Sequence, residues 1–419
     1  MKDLELGFCD KNITPFGGMV LMKKMMDHLG FPSLLKSLTL PQPRSNRGYD
    51  PTQLMIQFMM SVWCGANAYE QCEVTRFDDV LRRIFNFKKM AGHRAISRFF
   101  GKFKTRYGKQ DGATKGYNPK KKGRSSHHPL MAFVADTEMV ANFWLRPGST
   151  HSANNAEAFL ENTLHKLGNV KCSLVRADSG FSGNSFLQNL ESKKQNYIIA
   201  LPMMQPLQRA MASNKGWWPL VEVGGEGIEI CCFEHQPDSW NKSRRVIAVR
   251  QQIKVRELAN KSALGKQLSF FGKDDEEYGK YRYGAFVTSL DLPALEIWRL
   301  YRGRANCENR IKELKYDFAA DKFNQRNFFA TEATLSTVML SYNLMNFFRK
   351  ALLKSHGSQT LKTLRYKLFS TAGYVVKDGK KRILTLAASM QKRGWITNLW
   401  EESTNFQKPI RFNSIFEPS

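Results

Sequence analysis

The sequence YRGRANCENRIKELK, residues 301–315, is the most informative stretch of this chain. On an α-helix, at about 100° per residue, four of its polar residues fall within roughly 60° of one face. They are Tyr301, Arg304, Glu308 and Lys315. A carboxylate with two cations and a phenol makes a poor core face but suits a surface facing phosphates, where the carboxylate can hold a metal ion and an arginine can grip a phosphate. The alternative is a solvated face stabilised by the i,i+4 pair Arg304–Glu308.

The N-terminal region, residues 1–103, is predicted to be helical and to bind DNA. Leu, Met and Phe recur at helical spacing in residues 19–29, 52–63, 77–87 and 93–103. Arginines give the last part of this region a basic face, and they are Arg76, Arg82, Arg83, Arg94 and Arg98. A helical region with arginines suits DNA recognition, although a solvated helix face has the same sequence pattern.

Residues 104–215 are predicted to form the first part of a mixed α/β core. Strands are predicted at residues 128–136, 139–145, 173–177 and 197–201, with helices at residues 156–167 and from residue 185. The first two strands are joined by a tight turn. Strands that alternate with helices in this way indicate an α/β fold.

The remainder of the chain is predicted to contain a β-rich insertion, the rest of the core and a C-terminal region. Alternating apolar residues predict strands in the insertion, residues 216–290. The rest of the core, residues 291–352, is predicted to hold one long helix from Pro293 to about residue 318 and an apolar helix at residues 333–352. In the C-terminal region, residues 353–419, a hairpin is predicted at residues 374–384, with its turn at Lys377-Asp378-Gly379.

The charge of the chain points to a polyanionic partner. Lys and Arg number 64 against 37 Asp and Glu, which gives a formal net charge of +27. Nucleic acid is the usual partner of so large a surplus. A basic loop, residues 110–129, supplies further candidate DNA-binding residues, namely Lys120, Lys121, Lys122 and Arg124. A basic protein without such a partner, or an unrelated RNA-binding protein, is the alternative, but no pattern of an RNA-binding module is present.

Cysteine spacing and hydropathy exclude several other classes of protein. Seven cysteines at irregular spacing, without any C-x-x-C, support neither a disulfide framework nor a zinc ribbon. Cys231, Cys232 and His235 lie close together, but with no fourth ligand evident we interpret them as strand residues rather than a zinc site. No apolar run approaches the roughly 20 residues of a membrane span, and no signal-peptide pattern is present. We therefore expect a cytoplasmic, nucleoid-associated protein.

The pattern Tyr-x2-Arg-x3-Glu-x6-Lys resembles the signature of a large group of bacterial insertion-sequence transposases of the DDE class, which have an RNase H-like core. All four positions match. Further stretches resemble one branch of that group: HRAISRFFGKF (93–103), YGKQDGATKGYNPKKKGRSSHHPLMAF (107–133), LRPGSTHSANNAEAF (145–159) and RADSGF (176–181). A β-rich insertion between the second and third acidic residues is another feature of the group. The resemblance covers nearly the whole chain.

This resemblance implies an enzyme that cleaves and joins DNA with divalent metal ions. In the family, three acidic residues bind two metals, normally Mg²⁺ with Mn²⁺ as a substitute. Asp178 matches the second acid and Glu308 the third, so both are expected to be catalytic and to bind metal. Tyr301, Arg304 and Lys315 are expected to contact DNA. The implied partners are terminal inverted repeats, target DNA and a second copy of the chain in a synaptic complex. For Asp178 a helix N-cap is the alternative, since Asp-Ser-Gly is common in turns.

The first acidic residue of the family pattern is absent from its expected place. In the family it lies on the first core strand, in an apolar run that ends Asp-x-Asp-Ser/Thr just before a Tyr-Gly pair. Here residues 99–106 lead directly into Tyr107, and no acidic residue occurs between Asp79 and Asp111. The first core strand is therefore expected to be missing. Asp111 and Asp136 are the nearest substitutes, but neither matches the motif.

Two functions remain open from the sequence. The first is an insertion-sequence transposase, an enzyme of metal-dependent DNA cleavage and strand transfer, whose activity in this chain is expected to be impaired by the missing acid. The second is a non-catalytic DNA-binding relative that acts as an inhibitor of an intact copy, or is a remnant. Both bind duplex DNA, and they differ in whether the acidic residues still support cleavage.

Overall fold

The computed structural model describes residues 5–43, 45–103, 114–115, 125–150, 153–220, 227–252, 281–354 and 359–406. The chain divides into two compact units. The first unit comprises residues 1–148 together with residues 309–419, and the second unit comprises residues 149–308. Among the described residues, no helix combines the length and the apolar character that crossing a membrane requires.

The N-terminal part of the first unit is helical, as the sequence predicts. After the short strand β1 (Ile13–Thr14) come α1 (Met19–His28), α2 (Phe31–Lys36), α3 (Pro51–Trp63), α4 (Cys72–Arg76), α5 (Asp79–Ile84) and α6 (His93–Phe100). Side chains fix where two of these helices begin. Asp50 accepts a hydrogen bond from Thr52 N before α3, and Asp78 accepts one from Leu81 N before α5. The predicted helices at residues 77–87 and 93–103 are therefore present but shorter.

Four strands precede the second unit. They are β2 (Thr114–Lys115), β3 (Ser125–Ser126), β4 (Leu130–Phe133) and β5 (Val140–Trp144). Among the described residues, β2 pairs with β3 alone, and β4 and β5 form an antiparallel two-stranded sheet. The predicted strands at residues 128–136 and 139–145 are thus confirmed but shortened. Within the described residues, no longer strand lies between α6 and β4.

The second unit is built on one six-stranded sheet. Its elements are α7 (Ala156–Leu167), β6 (Val175–Ala177), α8 (Asn184–Ser192), β7 (Tyr197–Ala200), α9 (Gln205–Ser213), β8 (Trp218–Pro219), β9 (Ile228–His235), β10 (Arg244–Gln252), β11 (Tyr281–Thr288) and α10 (Ala294–Arg302). The strand order is β6-β7-β11-β10-β9-β8, with β6 and β7 parallel and every other pair antiparallel. The described strands of the β-rich region therefore continue the sheet of β6 and β7.

Each face of this sheet is covered by helices, because apolar residues on both sides of the strands are buried. Tyr197 and Ile199 on one face pack with the buried residues of α8 and α9. Ile198, between them in sequence, points to the other face and packs with Ile297 and Trp298 of α10. This alternation is the period of two residues expected of a strand. It places α10 on the face opposite α8 and α9.

The rest of the first unit is formed by α11 (Ala305–Tyr316), α12 (Phe328–Phe348), α13 (Leu361–Leu364), β12 (Gly373–Asp378), β13 (Lys381–Leu386) and α14 (Met390–Asn405). The one long helix predicted from Pro293 to residue 318 is wrong, because α10 ends at Arg302 and α11 begins at Ala305. The apolar helix predicted from residue 333 begins at Phe328, where Asn327 caps it. Helix α11 runs across the boundary between the units.

The core of the first unit forms around α3 and α12. Trp63 is fully buried and donates a hydrogen bond from Nε1 to Ser341 O at 3.2 Å. Asn343, also on α12, exchanges two hydrogen bonds with the backbone of Val140 at the start of β5, at 2.7 and 2.9 Å. The Asn343 side chain thereby satisfies the N–H and the carbonyl of Val140, which a neighbouring strand would otherwise pair. The β4–β5 hairpin is held to the helical core in this way.

The predicted C-terminal hairpin is confirmed. β12 and β13 are antiparallel, and β1 pairs with the first two residues of β12. Gly379 has φ +56°, a left-handed conformation that glycine adopts without the cost that other residues incur. The hairpin is therefore closed at the position where the sequence places its turn glycine.

A buried ion pair offers a test of the first unit. Glu313 on α11 binds Arg349 through both carboxylate oxygens and accepts a hydrogen bond from Leu361 N at 2.7 Å. The exposed fractions of the Glu313 and Arg349 side chains are 10% and 9%. We expect Glu313→Ala to lower the free energy of unfolding by about 3–5 kcal/mol, since Arg349 would be left buried without its carboxylate. Chemical denaturation followed by circular dichroism measures the change.

The control for this prediction is Glu402→Ala. Glu402 pairs with Lys354, whose side chain is 64% exposed. Removal of an exposed pair is expected to change the free energy of unfolding by less than about 1 kcal/mol. Equal losses in the two variants would contradict a structural role for the Glu313–Arg349 pair.

Candidate functional site

Asp178 lies where the edge strand β6 of the six-stranded sheet ends. Its Oδ1 accepts a hydrogen bond from Gly180 N at 3.1 Å and caps the short 3₁₀ turn Ser179–Phe181. The alternative N-cap interpretation of this residue is therefore correct as a local description. Its other oxygen, Oδ2, remains available for a second interaction, and the side chain is 50% exposed. The cap fixes the orientation of a carboxylate that solvent can reach.

Arg304 joins Asp178 to Glu308. It lies in the break between α10 and α11, where its Nη2 is 3.3 Å from Asp178 Oδ2 and its Nη1 is 3.8 Å from Glu308 Oε1. The two carboxylates are 130 positions apart in the sequence, and the fold brings both to one guanidinium. The i,i+4 pair Arg304–Glu308 that the sequence allows is thus present, and Arg304 also pairs with Asp178.

Tyr301 anchors α10 beside the same strand end. Its ring centroid is 4.2 Å from that of Phe286 on β11, and its hydroxyl donates to Ala177 O at 3.4 Å. Burial raises the pKa of the Tyr301 phenol, so the hydroxyl stays protonated at neutral pH. These contacts describe a packing and positioning residue. Its predicted contact with DNA stays a prediction.

Arg176 is a site residue that the sequence analysis missed. It lies on β6 two positions before Asp178, and its guanidinium donates to Leu300 O near the end of α10. A Cβ atom on Gly303 would lie only 2.6 Å from Arg176 Nη1, so a side chain there would push the end of the Arg176 side chain aside. Arg176 and Gly303 therefore let the strand that carries Asp178 approach the break that carries Arg304. Arg176 is the first residue of the RADSGF motif, of which only Asp178 was predicted to be functional.

The helix break changes the predicted four-residue face. Tyr301 is on α10, Arg304 is in the break, and Glu308 and Lys315 are on α11. The prediction that all four share one face of a continuous helix is therefore wrong, because the helix is interrupted after Arg302. Lys315 is exposed.

The remaining candidate residues are placed as follows. Lys120, Lys121, Lys122 and Arg124 lie outside the described residues, and so does Asp111. Asp136 belongs to the first unit and lies in the turn between β4 and β5. Their predicted roles stay predictions.

Cys231, Cys232 and His235 all lie on β9, as their interpretation as strand residues requires. Cys232 Sγ accepts a hydrogen bond from Arg245 Nε at 3.3 Å. In the part of the chain that the structure describes, no group of three or more His, Cys, Asp or Glu side chains is placed to hold a metal ion.

The chemistry of the two carboxylates next to Arg304 determines which kind of metal ion would suit this site. Asp178 and Glu308 supply carboxylate oxygens, which are the ligands that Mg²⁺ and Mn²⁺ prefer, and their side chains are 50% and 64% exposed. Two carboxylates fit one such cation that keeps several of its water ligands. A pair of cations close together needs further bridging carboxylates, and the described residues supply none.

Three comparisons with known proteins show what this chain resembles. Residues 102–405, almost three quarters of the chain, match the family model described as "Transposase DDE domain group 1". A search of curated proteins found no match. Among solved structures, the chain resembles one titled "Cryo-EM structure of piggyBac transposase synaptic complex with hairpin DNA", with a TM-score of 0.41 and 10% identity. That similarity covers 84% of this chain and 78% of the other.

The close approach of Arg176 to Gly303 can be tested by Gly303→Ala. The added methyl group would displace the Arg176 guanidinium from Leu300 O, and we expect the free energy of unfolding to fall by about 0.5–1.5 kcal/mol, the usual net contribution of one hydrogen bond. Thermal unfolding measures the loss.

Gly183→Ala is the matched control, since a Cβ at Gly183 has no neighbour within 4 Å. Adding Arg176→Ala to Gly303→Ala should relieve the overpacking, so the double variant should lose less than the sum of the two single variants. Strict additivity would show that Gly303 does not accommodate Arg176.

Proposed function

Because this chain belongs to the family of DDE transposases, we propose that it binds the ends of a bacterial insertion sequence and that the Asp178–Arg304–Glu308 bridge is its DNA-processing site. The ligands under this proposal are the terminal inverted repeats and target DNA, with a second copy of the chain in the synaptic complex. Mg²⁺, or Mn²⁺ in its place, is the proposed cofactor, and an RNase H-like core is the proposed fold of the catalytic part.

The observation that carries this proposal is the convergence of Asp178 and Glu308 on Arg304. An arginine between two exposed carboxylates gives each acid a compensating charge in the absence of other cations. The bridge is not a requirement of packing, since both carboxylates are at least half exposed and exposed ion pairs contribute little to stability. Two carboxylates that can hold a cation, next to an arginine that can bind phosphate through two hydrogen bonds, are suited to a phosphodiester.

Each residue of the bridge has a distinct proposed part in the reaction. Asp178 and Glu308 would hold the metal, which when bound would activate the attacking oxygen and stabilise the leaving oxygen of the phosphodiester. Arg304 would turn from the carboxylates to the phosphate, which its planar guanidinium can bind through two hydrogen bonds. Tyr301 and Arg176 act as positioning residues, since they hold α10 and β6 together. Lys315 would add a further positive charge for DNA.

We further propose that cleavage by this chain is lost or severely impaired. The expected first acidic residue is absent from the sequence before Tyr107, and two carboxylates alone compensate the charge of two cations poorly. One cation at Asp178 and Glu308 could still orient DNA. The absence of a core strand would add errors of position, and about 1 Å of misplacement can reduce a rate on the order of a hundredfold.

The alternative is a non-catalytic DNA-binding relative that acts as an inhibitor of an intact copy, or a remnant. The presence of only two of the three expected acids also favours this alternative, because DNA binding needs the basic residues and not a complete metal site. The two candidates share every DNA contact and differ in whether residual metal-dependent cleavage and strand transfer remain.

DNA engagement by Arg304 is tested by Arg304→Ala. We expect the affinity for terminal-repeat DNA to fall, with a loss of about 1–3 kcal/mol, because a charged hydrogen bond to phosphate is removed. Arg209→Ala is the matched control, since Arg209 is an exposed arginine of the same unit. Fluorescence anisotropy with duplex DNA measures both affinities. Equal effects would show that Arg304 is ordinary surface charge.

Catalytic impairment is tested by incubating the purified chain with a terminal-repeat duplex and Mg²⁺ or Mn²⁺. We expect nicking to be absent or very slow, because the second cation lacks ligands. Asp178→Asn should abolish any residual nicking, and Asp238→Asn is the control. Robust nicking that disappears in Asp111→Asn or Asp136→Asn would overturn the proposal and identify the carboxylate that replaces the first acid.

A further inference from the structure

The tip of the β12–β13 hairpin carries an unbalanced group of positive charges. We call residues 377–382 the basic tip, and all six are exposed. Four of them are cations, namely Lys377, Lys380, Lys381 and Arg382, and Asp378 is the one acid. So dense a cluster of charge on a turn and two strand ends needs an explanation beyond closing the hairpin, for which Gly379 is sufficient.

The register of the hairpin makes these charges costly to folding. Lys377 lies directly opposite Arg382, and like charges in that arrangement are destabilising. Asp378 lies opposite Lys381, so it offsets one charge across the hairpin. Within the part of the chain that the structure describes, none of the four cations forms an ion pair with a carboxylate. Among the described residues, the tip therefore has positive charges that no carboxylate compensates through an ion pair.

The hairpin extends the basic tip away from its own sheet. β1 pairs with Gly373 and Tyr374, and among the described residues each strand beyond Tyr374 has the other as its one partner. At about 3.3 Å per residue, Asp378 lies roughly 13 Å beyond Tyr374. The ammonium of Lys11 lies 4.1 Å from the centroid of the Tyr374 ring and places one more cation at the base of the extension.

Protection of a sheet edge is the competing explanation. Lysines on edge strands discourage pairing with other chains, and β13 is the edge strand of the β1-β12-β13 sheet. Edge protection accounts for Lys381 and Arg382, which lie on β13. It does not account for Lys380, which is in the turn, nor for two cations placed directly opposite each other.

We propose that the basic tip is a DNA-binding surface of the first unit that contacts backbone phosphates of duplex DNA. A two-stranded β-ribbon fits the major groove of B-DNA, and lysines on both strands and in the turn can reach the phosphates that border it. Binding of this kind is independent of base sequence and strongly dependent on salt. The inference rests on the proposed function, since it adds a second contact surface to a DNA-binding protein.

The test neutralises the basic tip in the full chain, as Lys377→Gln, Lys380→Gln, Lys381→Gln and Arg382→Gln together. Binding to a duplex of arbitrary sequence is measured by fluorescence anisotropy at several salt concentrations. Each lost phosphate contact lowers the slope of log K against log salt concentration by about 1, so we expect the slope to become shallower by roughly 2–4. The midpoint of thermal unfolding should be unchanged or higher, because the repulsion between Lys377 and Arg382 is removed.

The matched control carries Lys171→Gln, Lys194→Gln, Lys215→Gln and Arg209→Gln, which remove three exposed lysines and one exposed arginine from the second unit. An equal change of slope in the control, or an unchanged slope in the tip variant, would overturn the inference. Self-association of the tip variant with unchanged DNA affinity would show that the charges protect an edge instead. If the wild-type chain does not bind duplex DNA, the proposed function itself fails. If the tip variant unfolds, Lys380→Gln with Lys381→Gln repeats the test, with an expected change of about 1–2.

Discussion

The contact of Arg176 with the end of α10 is the constraint on which the candidate site depends. Its guanidinium donates to Leu300 O and passes beside Gly303, where the helix breaks. Because Arg176 and Asp178 share one strand end, that contact also fixes the acid with respect to Arg304. Arg304 lies in that break, and its guanidinium contacts both carboxylates. The geometry of the site therefore follows from a strand residue and a glycine rather than from the signature residues alone.

The candidate site and the basic tip differ in how their positive charge is compensated. The chain has a formal net charge of +27, yet the arginine nearest the two acids is engaged with them. Other cations lack carboxylate partners among the described residues, and the basic tip of the β12–β13 hairpin is the clearest example. An uncompensated positive surface costs stability and is understandable when a polyanion screens it. Membership of a DDE transposase family makes DNA the natural candidate for that polyanion.

Each unit contains a sheet of its own among the described residues. In the first unit the β4–β5 hairpin forms a sheet by itself, and the side chain of Asn343 satisfies backbone groups of Val140. In the second unit β6 is the edge strand of the sheet and carries Asp178 beyond its end. Both sheets pack against a hydrophobic cluster, which accounts for the burial of their apolar side chains in the described part of the chain.

The sequence by itself determined the elements whose signals are local. Helical periodicity placed α3 and α7, alternation placed β10, and a turn glycine placed the hairpin of β12 and β13, because these patterns depend only on neighbouring residues. The signature identified Glu308, and the RADSGF stretch identified Asp178, as candidate acids. Only the tertiary structure decided that α10 and α11 are separate helices, that the β-rich strands continue the sheet of β6 and β7, and that Arg304 joins two acids 130 positions apart. These features arise from contacts between residues that are distant in sequence, such as Arg176 with Leu300, and no local pattern encodes such contacts.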